Sequence, residues 1–215
     1  AATLYPLTIR LSMRGELWTQ VPTAGHLTRA EMIEIADLRV FKVRGTNPQA
    51  DILYLARHLA TKSLEEIANY LGSFVRKFMD DGLFESRLSQ EDLYRNPGCV
   101  RILYAIDESI RAKLSLPRFS IQELSALVRA GQTVEHVLPQ EPSFGIVGYG
   151  FNTSEEYETH IHRLGNLTLL ESALNSACRN LAVETKMREL NFYRSSKYQM
   201  TISIAASGDG QLPVF

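Results

Sequence analysis

Thr133-Val134-Glu135-His136-Val137-Leu138-Pro139-Gln140 is the stretch on which the reading of this chain turns. It is short, β-branched and apolar around one charged pair, and Pro139 stops it, so it predicts a strand. Adjacent side chains on a strand point to opposite faces, so Glu135 and His136 cannot do the same job at one atom. One is suited to holding a metal while the other handles a proton. A loop rich in glycine and aromatics follows, and Ser154 with Glu155 and Glu156 then starts a short helix ending near Gly165. Asn166-Leu167-Thr168-Leu169-Leu170 predicts a second short strand. Ser172 is placed to cap the next helix, which presents Asn175 and leads on to Asn180. These two asparagines are five positions apart, about 140° around a helix, so both cannot readily meet one ion.

Upstream of Gly131 the pattern is helical. Thr28-x-x-Glu31, Ser63-x-x-Glu66 and Ser120-x-x-Glu123 each fit the box in which a hydroxyl caps orphan amides and a Glu bonds back. After Ser63 come Leu64, Ile67, Ala68, Leu71, Phe74, Val75 and Phe78, one apolar stripe at helical spacing that reads as core. Asn47-Pro48 and Asn96-Pro97-Gly98 open further helices, and Gly131 closes the one begun after Ser120. Tyr5 to Arg14 alternates like a strand at Leu7, Ile9 and Leu11 but equally suits a short buried helix, and is assigned as helix. The predicted fold is therefore mainly α (α+β): a helical scaffold over residues 1–130, a small ββα module over 131–201 and a C-terminal tail over 202–215. The small polar run Ala205-Ala206-Ser207-Gly208-Asp209-Gly210 predicts fraying or a loop.

With 215 residues and 45% hydrophobic content the chain can bury a real core. No apolar run approaches the roughly 18 residues of a membrane span, and the opening Ala1-Ala2-Thr3-Leu4-Tyr5-Pro6 does not read as a secretory signal. A soluble cytoplasmic protein with no membrane partner is expected. Cys99 and Cys178 stand far apart, without CxxC or zinc-ribbon spacing, and read as apolar core thiols. His26 and His58 lack acidic or cysteine neighbours at ligand spacing, which makes them surface or core histidines. The net charge of −1 does not suggest a nucleic-acid binder, since such proteins usually carry an excess of Lys and Arg. Locally, however, Arg179, Lys186, Arg188, Arg194 and Lys197 outnumber Glu184 and Glu189, enough for a basic face or for a solvated helix surface.

Strand, loop, strand and helix, with a His on the first strand and Asn residues on the second strand and the helix, is the order of a ββα-metal (His-Me) finger. Glu135-His136-Val137-Leu138-Pro139-Gln140, then His162-Arg163-Leu164-Gly165-Asn166-Leu167-Thr168-Leu169-Leu170, then Asn175, Asn180, Lys186, Tyr193 and Ser196 together resemble the C-terminal HNH domain of GmrSD-type restriction endonucleases. Several anti-phage defence nucleases share that module. The resemblance implies a metal-dependent endonuclease that nicks or cleaves DNA. It gives His136 the role of general base, Glu135 that of acidic metal ligand and Asn175 that of amide ligand. Asn166 matches the middle asparagine, which orients the histidine by accepting from its ring or by holding the loop that does. The implied ion is Mg²⁺ or Mn²⁺, a hard cation that takes oxygen ligands and keeps several waters. Arg179, Lys186 and His162 are candidate DNA contacts, with His162 open to touching substrate or metal or to packing beside Gly165. Pro139 and Asn180 are structural or substrate-contacting candidates. The upstream helices resemble, more loosely, the segment that joins this domain to an N-terminal ParB-like domain. The Asp-Gly-Gln-Gln-Arg motif of that partner domain is absent, so a C-terminal fragment of a longer protein is expected.

A catalytically silent module that binds DNA or a partner protein is the rival reading. RNA is a further possible substrate, because a phosphodiester looks alike to a metal and a base.

Overall fold

The computed structural model describes residues 1–129, 131–143 and 145–207. It is mainly helical and divides into two compact units, Ala1–Arg87 with Asn96–Gly98, and Leu88–Arg95 with Cys99–Phe215. The predicted border at residue 130 does not coincide with this division. The helix that starts after Asn96-Pro97-Gly98 is bound into the C-terminal unit by its own buried face.

The N-terminal unit is built on α1 (Tyr5–Met13), α2 (Arg29–Ala36), α3 (Gln49–His58) and α4 (Leu64–Phe78). Tyr5 to Met13 is helical, with Leu7 and Leu11 fully buried on one face. The capping boxes at Thr28 and Ser63 form with both reciprocal hydrogen bonds. On α4 the predicted stripe is the buried one: Ile67, Ala68, Leu71, Phe74 and Val75 are all inside. Each large side chain so removed from water contributes about 1.5–3 kcal/mol. Helix α2 runs on into a π-helical segment, Asp37–Val43, which no feature of the sequence announced. The unit border falls within α5 (Asp81–Gln90).

The C-terminal unit contains α6 (Cys99–Lys113) and α7 (Ile121–Arg129), then β1 (Gln132–His136) and, after a long connection carrying α8 (Ser154–His160), β2 (Leu167–Glu171). The strands pair antiparallel, with Glu135 opposite Thr168 and His136 opposite Leu167. Gly131 precedes β1 at φ +75, a left-handed conformation open to a residue without Cβ. Helices α9 (Ser172–Cys178), α10 (Val183–Arg188) and α11 (Gln199–Ala206) complete the unit. Helix α9 packs on both strands, so β1, β2 and α9 form one small layer. Val137, Leu170, Cys178, Val183, Met187 and Tyr193 fill the core beside it. Strand β2 is buried from Leu167 to Leu170, which explains its near-continuous apolar run. The buried Asp107 of α6 accepts a hydrogen bond from Met200 N at 2.8 Å and so caps α11.

Helix α11 corrects the reading of the tail: Ala205 and Ala206 are helical, and Ala205 is buried with Ile204 in that core. Gly208-Asp209-Gly210 lies outside the described residues. Both cysteines are buried free thiols, and burial pushes Cys99 up to about 11 and Cys178 up to about 12. Among the described residues no helix is long and apolar enough to cross a membrane.

Candidate functional site

The end of β1 carries the site. Beyond the last strand pair the backbone stays in register for one more bond, Val137 N to Asn166 O at 2.9 Å, and then turns at the buried Pro139. Asn166 fixes that turn. Its Oδ1 accepts from Leu138 N at 2.7 Å, and its Nδ2 donates to Leu138 O at 3.0 Å and Ile161 O at 2.8 Å. Asn166 thus grips the loop through its side-chain amide. Its amide is spent on backbone groups rather than on the His136 ring. The Tyr157 hydroxyl adds a bond to Pro139 O at 2.6 Å.

The two side chains at the strand end do part to different neighbours. The carboxylate Oε1 of Glu135 accepts from Lys186 Nζ at 2.6 Å and from the Tyr193 hydroxyl at 3.2 Å. Burial raises the Glu135 pKa, and the Lys186 charge and hydrogen bond pull it back. Lys186 also donates to His136 O at 2.8 Å and Val137 O at 3.3 Å. Its side chain is 0% exposed, so the expectation of a DNA contact at Lys186 is overturned. An ammonium with three acceptors around it has no donor left for a phosphate. Among the basic residues of this segment, Arg179, Arg188, Arg194 and Lys197 are the exposed ones.

The His136 ring turns the other way, into an aromatic cluster. Its centroid lies 4.4 Å from that of Tyr94 and 5.1 Å from that of His162, and Tyr94 stacks on His162 at 5.3 Å. Nε2 of His136 lies 3.0 Å from His162 Nδ1, and Nδ1 lies 3.1 Å from the Gln140 side-chain nitrogen. Burial, with His162 and Lys186 beside it, pulls the His136 pKa down to about 4, while Asp92 acts weakly in the opposite sense. The imidazole is therefore unprotonated at neutral pH, the form a general base requires.

A cavity of about 210 Å³ opens at this point, lined by Tyr94, Val134, Glu135, His136, Pro139, Gln140, Asn175, Arg179 and Asn180. Asn175 Nδ2 donates to the Thr133 hydroxyl at 2.6 Å and more weakly to Val134 O at 3.5 Å, while its Oδ1 has no hydrogen-bond donor among the described residues. The argument that separated Asn175 from Asn180 does not survive. Helix α9 stops at Cys178, and Arg179 takes φ +44 and ψ −133, so Asn180 is no longer on the helix and lines the same cavity. A non-glycine residue at positive φ is strained, and such strain gathers at functional sites.

Of the residues singled out from the sequence, Glu135, His136, Pro139, Asn175, Arg179 and Asn180 share this cavity. Asn166 and Lys186 hold its walls from behind, and His162 backs His136. Tyr94 and the role of Gln140 were not anticipated. Gln140 stood inside the quoted motif, but Tyr94 sits some forty positions upstream in a run without periodicity and gave no signal. Among the described residues lining the cavity, Glu135 and Asn175 carry side-chain oxygens, a donor type that suits a hard ion such as Mg²⁺ or Mn²⁺. Among the described residues no three His, Cys, Asp or Glu side chains converge as a metal cluster.

Residues 78–210, more than half of the chain, match the family described as GmrSD restriction endonucleases, C-terminal domain. No curated protein and no solved structure matches.

Proposed function

Because the chain belongs to the family of GmrSD restriction endonuclease C-terminal domains, we propose that it is a metal-dependent HNH endonuclease that hydrolyses DNA phosphodiesters. The observation that carries this reading is the His136 imidazole, unprotonated at neutral pH, on one cavity with Glu135 and Asn175. His136 Nδ1 takes a proton from the attacking water. That water adds to phosphorus, the bond to the 3′ oxygen breaks with that oxygen taking up a proton from solvent, and the products are a 5′-phosphate and a 3′-hydroxyl. Bound between Glu135 and Asn175, Mg²⁺ or Mn²⁺ would neutralise charge on the scissile phosphate and the leaving oxygen. Arg179, exposed at the cavity, would contact a phosphate. Asn180 shares that edge.

Supercoiled plasmid incubated with the full chain and Mg²⁺ or Mn²⁺ tests this directly. Relaxed or linear product is expected from the wild type and not from His136→Ala or Asn175→Ala. Equal cleavage by His136→Ala, or in excess chelator, refutes it.

One observation favours a second reading. The Lys186 ammonium already sits 2.6 Å from Glu135 and supplies a fixed positive charge where the ion's carboxylate ligand is needed. A silent DNA-binding module built this way gives a gel shift without cleavage, unchanged in His136→Ala.

A further inference from the structure

The hydrogen bonds around His136 have a direction. As the Gln140 amide is oriented, its Nε2 lies 3.1 Å from His136 Nδ1 and, as a donor, faces the Nδ1 lone pair. A neutral imidazole with a bare Nδ1 carries its proton on Nε2. That proton faces His162 Nδ1 at 3.0 Å, which must accept it. The reverse polarity, with His162 donating, puts a proton on His136 Nδ1 and faces it against the Gln140 amide hydrogens. It also leaves the base with no lone pair towards the cavity.

The fixing of His162 is as specific as its contact. Leu93 N and Tyr94 N donate to His162 O at 3.0 and 3.3 Å, and the Tyr94 ring lies nearly parallel to the imidazole, at an interplanar angle of 11°. Backbone and ring are thus both held from the segment Leu88–Arg95, which belongs to the same compact unit as β1. The ring plane, and with it the direction of the Nδ1 lone pair, is set before any substrate arrives. Asn166, assigned on resemblance to orient the histidine, has its amide on backbone groups. The only side chains bonded to the His136 ring among the described residues are His162 and Gln140.

We propose that His162 is the positioning residue of the site: by accepting the His136 Nε2 proton it locks the tautomer whose Nδ1 faces the attacking water, and Gln140 occupies that water's place until substrate enters. The assignment rests on the endonuclease reading for its catalytic meaning, but the tautomer itself does not.

The test has two arms on the full chain. The first is nitrogen-15 NMR of the histidine rings, which reports which ring nitrogen is protonated without any need for activity. In the wild type, His136 is expected as the Nε2-protonated tautomer. Replacing His162 by Leu should give a mixture of tautomers, whereas His162→Asn, whose Oδ1 falls near the position of Nδ1, should keep the wild-type form. The second arm is plasmid cleavage. His162→Leu is expected to lower kcat about ten- to a hundredfold with little change in KM, the scale seen when an outer partner that orients a histidine is lost. His162→Asn should restore most of it. An Nδ1-protonated His136 in the wild type overturns the proposal, and that spectrum needs no variant to fold. Equal loss of kcat in folded Leu and Asn variants overturns it too. A wild type that shows the expected tautomer and yet cuts no plasmid refutes the endonuclease reading and leaves the tautomer assignment standing.

Discussion

Lys186→Met isolates the most consequential buried interaction. The lysine side chain is 0% exposed and its Glu135 partner 6%, so neither charge is repaid by water if the other is removed. The substitution keeps the length and apolar stem of the side chain and deletes the ammonium. Glu135 then loses its charged partner while keeping the Tyr193 hydroxyl at 3.2 Å, and the carbonyls of His136 and Val137 lose a donor each. Breaking a buried pair from one side costs about 3–5 kcal/mol, because an uncompensated charge stays behind. For a chain of this size each kcal/mol moves the melting midpoint by about 2–4 °C, so a fall of roughly 6–20 °C is expected by far-UV circular dichroism. Pairing it with Glu135→Leu removes the stranded charge and should recover much of the loss. The salt dependence of DNA binding should stay as in the wild type, since no phosphate contact is lost. A drop below about 1 kcal/mol, the value of an exposed pair, together with a shallower salt dependence of DNA binding, would refute the buried role and restore Lys186 as a substrate contact.

Three other perturbations probe the scaffold around the site. Asn166→Ala removes three hydrogen bonds that hold Leu138 and Ile161; with buried groups left unpaired, a loss of about 2–4 kcal/mol in urea titration is expected, and a loss under about 0.5 kcal/mol contradicts the grip on the loop. Asp107 is buried and its pKa is raised from 3.8, mainly by desolvation, so the folded state holds its proton more tightly than the unfolded chain. That contribution to stability is complete below the unfolded value and is lost as pH rises through the folded one, so Asp107→Asn should gain on the wild type as pH rises from the usual carboxylate range towards neutrality. A constant difference between the two proteins across that range contradicts the assignment. Cys99 and Cys178, with thiol pKa values pushed up to about 11 and about 12, should react with a thiol reagent only as fast as the native chain opens. Rapid labelling of either at neutral pH, without denaturant, would show that its thiol is accessible.

The helices and their ends were legible because their causes are local. A capping box needs a hydroxyl and a carboxylate three residues apart, and Thr28 with Glu31 and Ser63 with Glu66 form it as read. The stripe on α4 and the φ of Gly131 are set by a few neighbouring residues in the same way. The two strands were found to within a residue or two at their ends, since β-branched runs bounded by Gly and Pro carry their own signal. Within the site, His136, Glu135 and Asn175 were singled out by a resemblance carried on one contiguous segment, and all three line one cavity.

What the sequence could not supply is which charged and polar groups lose their water. Lys186 looks like any surface lysine in a basic stretch, and only the packing of α10 behind β1 makes it the buried partner of Glu135. The angle between Asn175 and Asn180 followed from assuming that one helix carries both, and the break at Arg179 is a property of the folded chain. His162 and Tyr94 reach His136 through an interaction between segments distant along the chain, for which spacing offers no rule. Sequence alone determined the residue types and the elements that bear them, because capping, periodicity and turn chemistry act over a few residues. Tertiary structure decided which of those residues face the cavity and which hold it, because burial and hydrogen-bond direction are set by everything that packs around them.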